Sequence, residues 1–94
     1  MIVKINIPSY FQYFTNNTDV VKVECGSVIE CLGKLIGKYP GMKPLLFDNS
    51  GNLQLEPLNY VMVVKNGAIV QPDEYSDKVN DGDELDLIYV ILGG

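Results

Sequence analysis

Ninety-four residues with 47% hydrophobic content fit one domain around a single modest core. Seven basic residues against twelve acidic ones leave a net charge of −5, which repels phosphate backbones and argues against nucleic-acid binding. No apolar stretch approaches the roughly 18 residues of a membrane span. No basic run marks a membrane surface, and the N-terminus lacks the basic and long apolar regions of a signal peptide, so the expected compartment is the cytoplasm.

Residues 2–7 alternate as a strand, with Val3, Ile5 and Ile7 on one face and Lys4 and Asn6 on the other. Pro8 ends that strand. An aromatic loop follows, carrying Tyr10, Phe11, Tyr13 and Phe14. Such a cluster either caps the bottom of a small core or forms part of an interaction surface, where aromatics are enriched. Asn16-Asn17-Thr18-Asp19 is turn material, and residues 20–24 alternate again, with Val21 and Val23 inward. The two strands read as an opening hairpin with a long loop.

Ser27-Val28-Ile29-Glu30 has the form of a capping box, in which Ser27 accepts from the amide of Glu30 and Glu30 reaches back to the amide of Ser27. Val28, Leu32, Leu35 and Tyr39 then recur on one helical face, widened by Ile29 and Ile36. An amphipathic helix is predicted over 27–38 and ended by Pro40-Gly41. Gly33 and Gly37 weaken it by about 1 kcal/mol each relative to alanine, a cost that close packing against a sheet would explain. Residues 43–58 are broken by Pro44, Asn49-Ser50-Gly51 and Pro57, and a small hairpin and a mobile loop are both open.

Residues 60–65 form a strand, Asn66-Gly67 is a two-residue hairpin signal, and 68–70 return as a short strand. Residues 72–78 turn once. Asp81-Gly82 is a further turn before the last strand, 84–90, whose far end is nearly all apolar. That profile suits an interior strand covered on one face by the helix. The order is α+β with a mixed sheet and one main helix packed across it. The strands on either side of the single crossover are expected to pair in its middle.

The polar chemistry is sparse. The chain has no histidine, which removes the commonest general base and every histidine triad. Cys25 and Cys31 are too few ligands for a zinc site. A disulfide between them is not expected in a cytosolic chain, so they read as small apolar fillers. Asp81, Asp83, Glu84 and Asp86, with Asp73, Glu74 and Asp77 nearby, read as a solvated acidic face rather than a metal site. A basic partner would be steered by it.

The sequence closes on Gly93-Gly94 directly after the last strand. Two residues without side chains give a tip that enters narrow channels and leaves the last carbonyl open to approach. The terminal carboxylate is therefore the expected reactive group. Ile91 and Leu92 either extend the strand into the core or serve as a plug against a partner.

Taken together, the chain resembles the ubiquitin-like β-grasp sulfur carriers of the ThiS/MoaD type. The resemblance rests on Val3–Ile7, the loop around Tyr10-Phe11, the helix pattern ending at Tyr39-Pro40, Val63-Val64-Lys65-Asn66-Gly67, Asn80–Leu85 and the final Gly93-Gly94. It implies a β-grasp domain over 1–90 and a flexible diglycine tail over 91–94. It implies that the protein is not an enzyme but a co-substrate that binds no cofactor or metal and is a monomer when free. A ubiquitin-activating-type enzyme would use ATP to adenylate Gly94, with Gly93 keeping the approach clear. Sulfur would then replace AMP, and the resulting thiocarboxylate would serve a sulfur-acceptor synthase. Ile91, Leu92 and Phe11 would contribute to partner docking.

The pathway implied first is molybdenum or tungsten cofactor (molybdopterin) synthesis. Tyr89-Val90-Ile91-Leu92 stands where small subunits of molybdopterin synthase usually carry a Pro-Pro-containing stretch, however. Ile5-Asn6-Ile7-Pro8 and the long 43–58 segment look more like carriers of the cysteine branch. A covalent protein modifier and a non-covalent β-grasp binding module are the other readings.

Overall fold

The computed structural model describes residues 1–46 and 61–89. The opening hairpin is as the alternation predicts. Strand β1 (Ile2–Asn6) pairs antiparallel with β2 (Val20–Glu24), Val3 facing Val23 and Ile5 facing Val21. All four of these side chains are buried. The connection is not an open loop. Ser9–Thr15 winds into a 3₁₀ helix whose C-terminal side is closed by Asn16 and Asn17, both at positive φ. Gln12 holds the segment to the strand end by donating to the Ile7 carbonyl at 3.1 Å. The buried Thr15 hydroxyl donates to the Thr18 carbonyl at 2.8 Å.

Helix α1 (Val28–Lys38) begins where the capping residues place it. The Ser27 hydroxyl accepts from the Glu30 amide at 3.2 Å. The reciprocal bond differs from the expected one: Glu30 accepts from the amide of Gly26 at 2.9 Å, one residue earlier than the capping box would have it. Val28, Cys31, Leu32 and Leu35 face the core, with Ile29, Ile36 and Tyr39 packed at its margin. Gly33 and Gly37 are both exposed, and a Cβ on either would meet nothing within 4 Å. Close packing against the sheet therefore does not explain them. After the helix, Pro40–Met42 forms a 3₁₀ turn that runs into a short helical turn, α2 (Lys43–Leu46), and Met42 and Leu46 are buried. This assigns the start of the 43–58 segment to helix; its remainder lies outside the described residues.

Strands β3 (Val61–Lys65) and β4 (Ala68–Ile69) form the Asn66-Gly67 hairpin, both turn residues lying at positive φ. The 72–78 stretch turns through a 3₁₀ segment at Pro72–Glu74. Strand β5 (Glu84–Tyr89) then enters the interior of a five-stranded sheet of order β2-β1-β5-β3-β4. It runs parallel to β1 and antiparallel to β3. The central pair is thus β1 with β5. The strands flanking the helical crossover, β2 and β3, stand apart, contrary to the expected middle pairing. The hairpin partner takes one edge of β1 and leaves the other for β5, whose Leu85 and Leu87 are buried. This is the β-grasp arrangement, a mixed sheet with α1 across one face.

Cys25 and Cys31 are joined in a disulfide, which corrects their reading as unlinked fillers. Cys25 follows the end of β2, and Cys31 lies in the first turns of α1 on the core face. The reversal between strand and helix brings their Cα atoms to 5.2 Å, well within bridging range. Both are buried.

Candidate functional site

The candidate site is the end of the sheet from which the chain leaves β5. Its position follows from the register. Lys4, Ile5 and Asn6 pair in parallel with Glu84, Leu85 and Asp86, so β1 and β5 point the same way. Continued three residues, this register sets Tyr89 level with Ser9, where the 3₁₀ segment begins. Gly93, Gly94, Ile91 and Leu92 lie outside the described residues.

Phe11, expected to aid docking, is 4% exposed and belongs to the core cluster. Its ring packs among the core side chains rather than standing at the surface. Its neighbours in the same segment point differently: Tyr10 is 53% exposed and Tyr13 84%. Tyr10 packs edge-on against Phe11 at 5.1 Å between centroids, and Tyr13 against Phe14 at 5.3 Å.

The sheet face away from α1 carries a feature that sequence reading missed. Val64 is 8% exposed yet stands outside the core cluster. It pairs with Asp86 and Ile69, and beside it Met62 pairs with Ile88. Met62, Val64, Ile69 and Ile88 therefore form an apolar patch on the β3–β5 half of the open face, with Ile69 51% and Ile88 41% exposed. Its signal was present in the sequence: Val61-Met62-Val63-Val64 is apolar at every position, though among the described residues only one face of the sheet has a helix across it. Polar groups border the patch on the same face: Asp86, opposite Val64, accepts from Asn6, and Lys4 of β1 pairs with Glu84 at the start of β5 at 3.2 Å.

The acidic run is largely occupied in holding turns. Asp81 accepts from the Ile2 amide at 2.7 Å, and Asp86 from the Asn6 side-chain amide at 2.6 Å. Asp83 accepts from the Asn80 amide at 2.8 Å and from Asn66 Nδ2 at 3.0 Å. These bonds, the backbone one foremost, lower the Asp83 pKa below the ordinary carboxylate value. Asn66 also accepts from the Glu84 amide at 2.9 Å, tying the β3–β4 turn to the start of β5. Among the described residues no group of three or more metal-ligating side chains comes together. No helix among them is long and apolar enough to cross a membrane.

Comparison with known proteins decides the family. The ThiS family model matches residues 10–94, nearly the whole chain and including the diglycine. The chain belongs to the ThiS family. This is the ubiquitin-like sulfur-carrier family that the sequence resembles, and its members are small carrier proteins. No curated protein sequence matches the chain.

Among solved structures, small archaeal modifier protein 1 from Haloferax volcanii is similar at 21% identity, each chain covered over 100%, with a TM-score of 0.82. CysO in the BexX/CysO complex of Amycolatopsis orientalis is similar at 22% identity over 98% of this chain and 99% of that one, with a TM-score of 0.80. A putative molybdopterin converting factor subunit 1 from Pyrococcus furiosus is similar at 16% identity over 97% and 99%, with a TM-score of 0.76. At these identities the likeness is one of fold.

Proposed function

We propose that this ThiS-family protein carries sulfur as a thiocarboxylate on Gly94. The observation that carries the reading is the family match running to Gly94 behind a complete β-grasp domain. In the proposed cycle the Gly94 carboxylate attacks the α-phosphate of ATP and displaces pyrophosphate. Sulfide-level sulfur then adds at the carbonyl carbon and expels AMP. A partner enzyme supplies the catalytic groups; this chain, without histidine, supplies the reacting carbon. Gly93 keeps the approach free of side chains.

The apolar patch of Met62, Val64, Ile69 and Ile88 beside the β5 exit is where the adenylating enzyme and the acceptor synthase would rest in turn. The existence of a complex containing CysO of the same fold fits such pairing. The acceptor we place first is the molybdopterin precursor, on the sequence resemblance. We place the work in the cytoplasm, where ATP is at hand; both cysteines of the Cys25–Cys31 bridge are buried.

Neither sulfur of that bridge serves as the carried atom. The Cys25 amide donates to the Met1 carbonyl, at the end of the sheet opposite the β5 exit. The test is the intact mass of the protein after incubation with ATP, the adenylating enzyme of the same cell and a sulfide source. The expected result is a gain of one sulfur-for-oxygen exchange, confined to the C-terminal peptide. Ladders of larger conjugates without that exchange would establish a protein modifier instead.

A further inference from the structure

The 3₁₀ segment Ser9–Thr15 presents an aromatic surface that the core does not use. Phe11 alone of its four rings is buried in the core, while Tyr13 is 84% exposed. Between Lys4 and Asp19 the chain has no charged residue at all, in a sequence with 19 charged residues. The surface is therefore neutral and aromatic, unlike the acidic run at 73–86. Tyrosines of this kind offer large, stiff contact area with a hydroxyl at the tip, the composition of interface anchors.

What covers this surface follows from the reading that Gly94 is the adenylated residue. Residues 90–94 reach at most roughly 17 Å beyond Tyr89, even fully extended. On the reading that Gly94 is adenylated, the body of the enzyme must come within that distance of the β5 exit. Continued three residues past its last pair, Asn6 with Asp86, the β1–β5 register brings the exit level with Ser9, at the start of the aromatic segment. A protein large enough to hold ATP and grip so short a tail cannot avoid this end of the sheet.

We propose that Tyr13, with Tyr10 beside it, is a docking anchor for the adenylating enzyme that takes the tail. This rests on the proposed function and adds a specific contact to it. The contact is neutral, so it sets affinity rather than long-range steering.

The test is ATP–pyrophosphate exchange by the adenylating enzyme of the same cell, with the full-length protein varied in concentration. Tyr13→Ser, alone and with Tyr10→Ser, is expected to raise KM for the carrier about tenfold with kcat kept. Lys34→Ala, on the exposed face of α1, is the control and leaves KM unchanged. Thermal melts of each variant establish folding, and Tyr13→Phe separates ring from hydroxyl while preserving the packing on Phe14. An unchanged KM in both serine variants overturns the proposal. So does a defect seen only in later sulfur transfer, or a loss of self-association in sedimentation, either of which assigns the surface to a different occupant. Deletion of Gly94 in the same assay separates the two readings. If the deletion abolishes exchange while the tyrosine variants match wild type, only the docking assignment fails. If the deletion exchanges normally, the carrier reading itself fails.

Discussion

At the residue scale, two glycines and one aspartate show how local physical chemistry sets the stability of this domain. Gly33 and Gly37 lie in the interior of α1 with open space where a Cβ would stand. Neither lies at positive φ. Alanine at each position should therefore stabilise the protein, by about 0.5–1 kcal/mol per site, through the reduced freedom of the unfolded chain. Urea unfolding of the single and double variants measures this, and a loss of stability would reveal a demand for glycine that the helix surface does not show. Asp83 acts through pH. Its folded pKa is depressed by the Asn80 amide and the Asn66 side chain. Its contribution is then fully present above the unfolded carboxylate value of about 3.9 and is lost as pH falls through the lower folded value. Asp83→Asn should leave a shallower fall in stability below about pH 4 than wild type shows. Equal acid slopes for the two proteins would mean that these bonds do not favour the ionised form.

At the scale of elements, period and punctuation made most of the fold legible before any coordinate. The alternation of 2–7 and 20–24, the Ser27 cap, the α1 stripe and Asn66-Gly67 each correspond to an observed element. These signals are local, and local energetics fix them. What was not legible depended on contacts distant in sequence. The central β1–β5 pair joins residues about eighty apart, and no periodicity announces which strand edges will meet. The Cys25–Cys31 bridge was legible in principle. A cysteine just before an N-cap and another on the core face of the first helical turns are brought together by the strand–helix reversal itself. The rarity of disulfides in cytosolic chains points the other way, and here the local geometry prevails. The site divided along the same line. The diglycine is a feature of sequence alone, whereas the Met62, Val64, Ile69 and Ile88 patch needs the sheet register to assemble residues from three strands. Tyr10, Phe11, Tyr13 and Phe14, four aromatics in five positions, carry no periodicity that separates the inward ring of Phe11 from the outward ring of Tyr13.

At the scale of the whole molecule, the proposed function makes the domain a handle that sets the Gly94 carboxylate at a fixed distance from a docked surface. On that reading stability and function are separable, because a glycine has no side chain to add to a core. Deleting Gly94, or adding one residue after it, should leave the melting temperature unchanged. A substitution or deletion away from core, cap and network features changes stability by less than about 0.5 kcal/mol. Activation should behave in the opposite way. If the docked face and the tail length together determine where the carboxylate meets ATP, one residue more or less moves it by about 3.5 Å along an extended chain. Near-attack placement loses about a hundredfold in rate for errors as small as 1 Å, so a shift of this size should suppress ATP–pyrophosphate exchange by at least that factor. The two measurements are made on the same samples. Wild-type melts with exchange reduced a hundredfold or more support Gly94 as the reacting residue. Exchange at the wild-type rate in the shortened chain would place the chemistry elsewhere, and the carrier reading would fall with it.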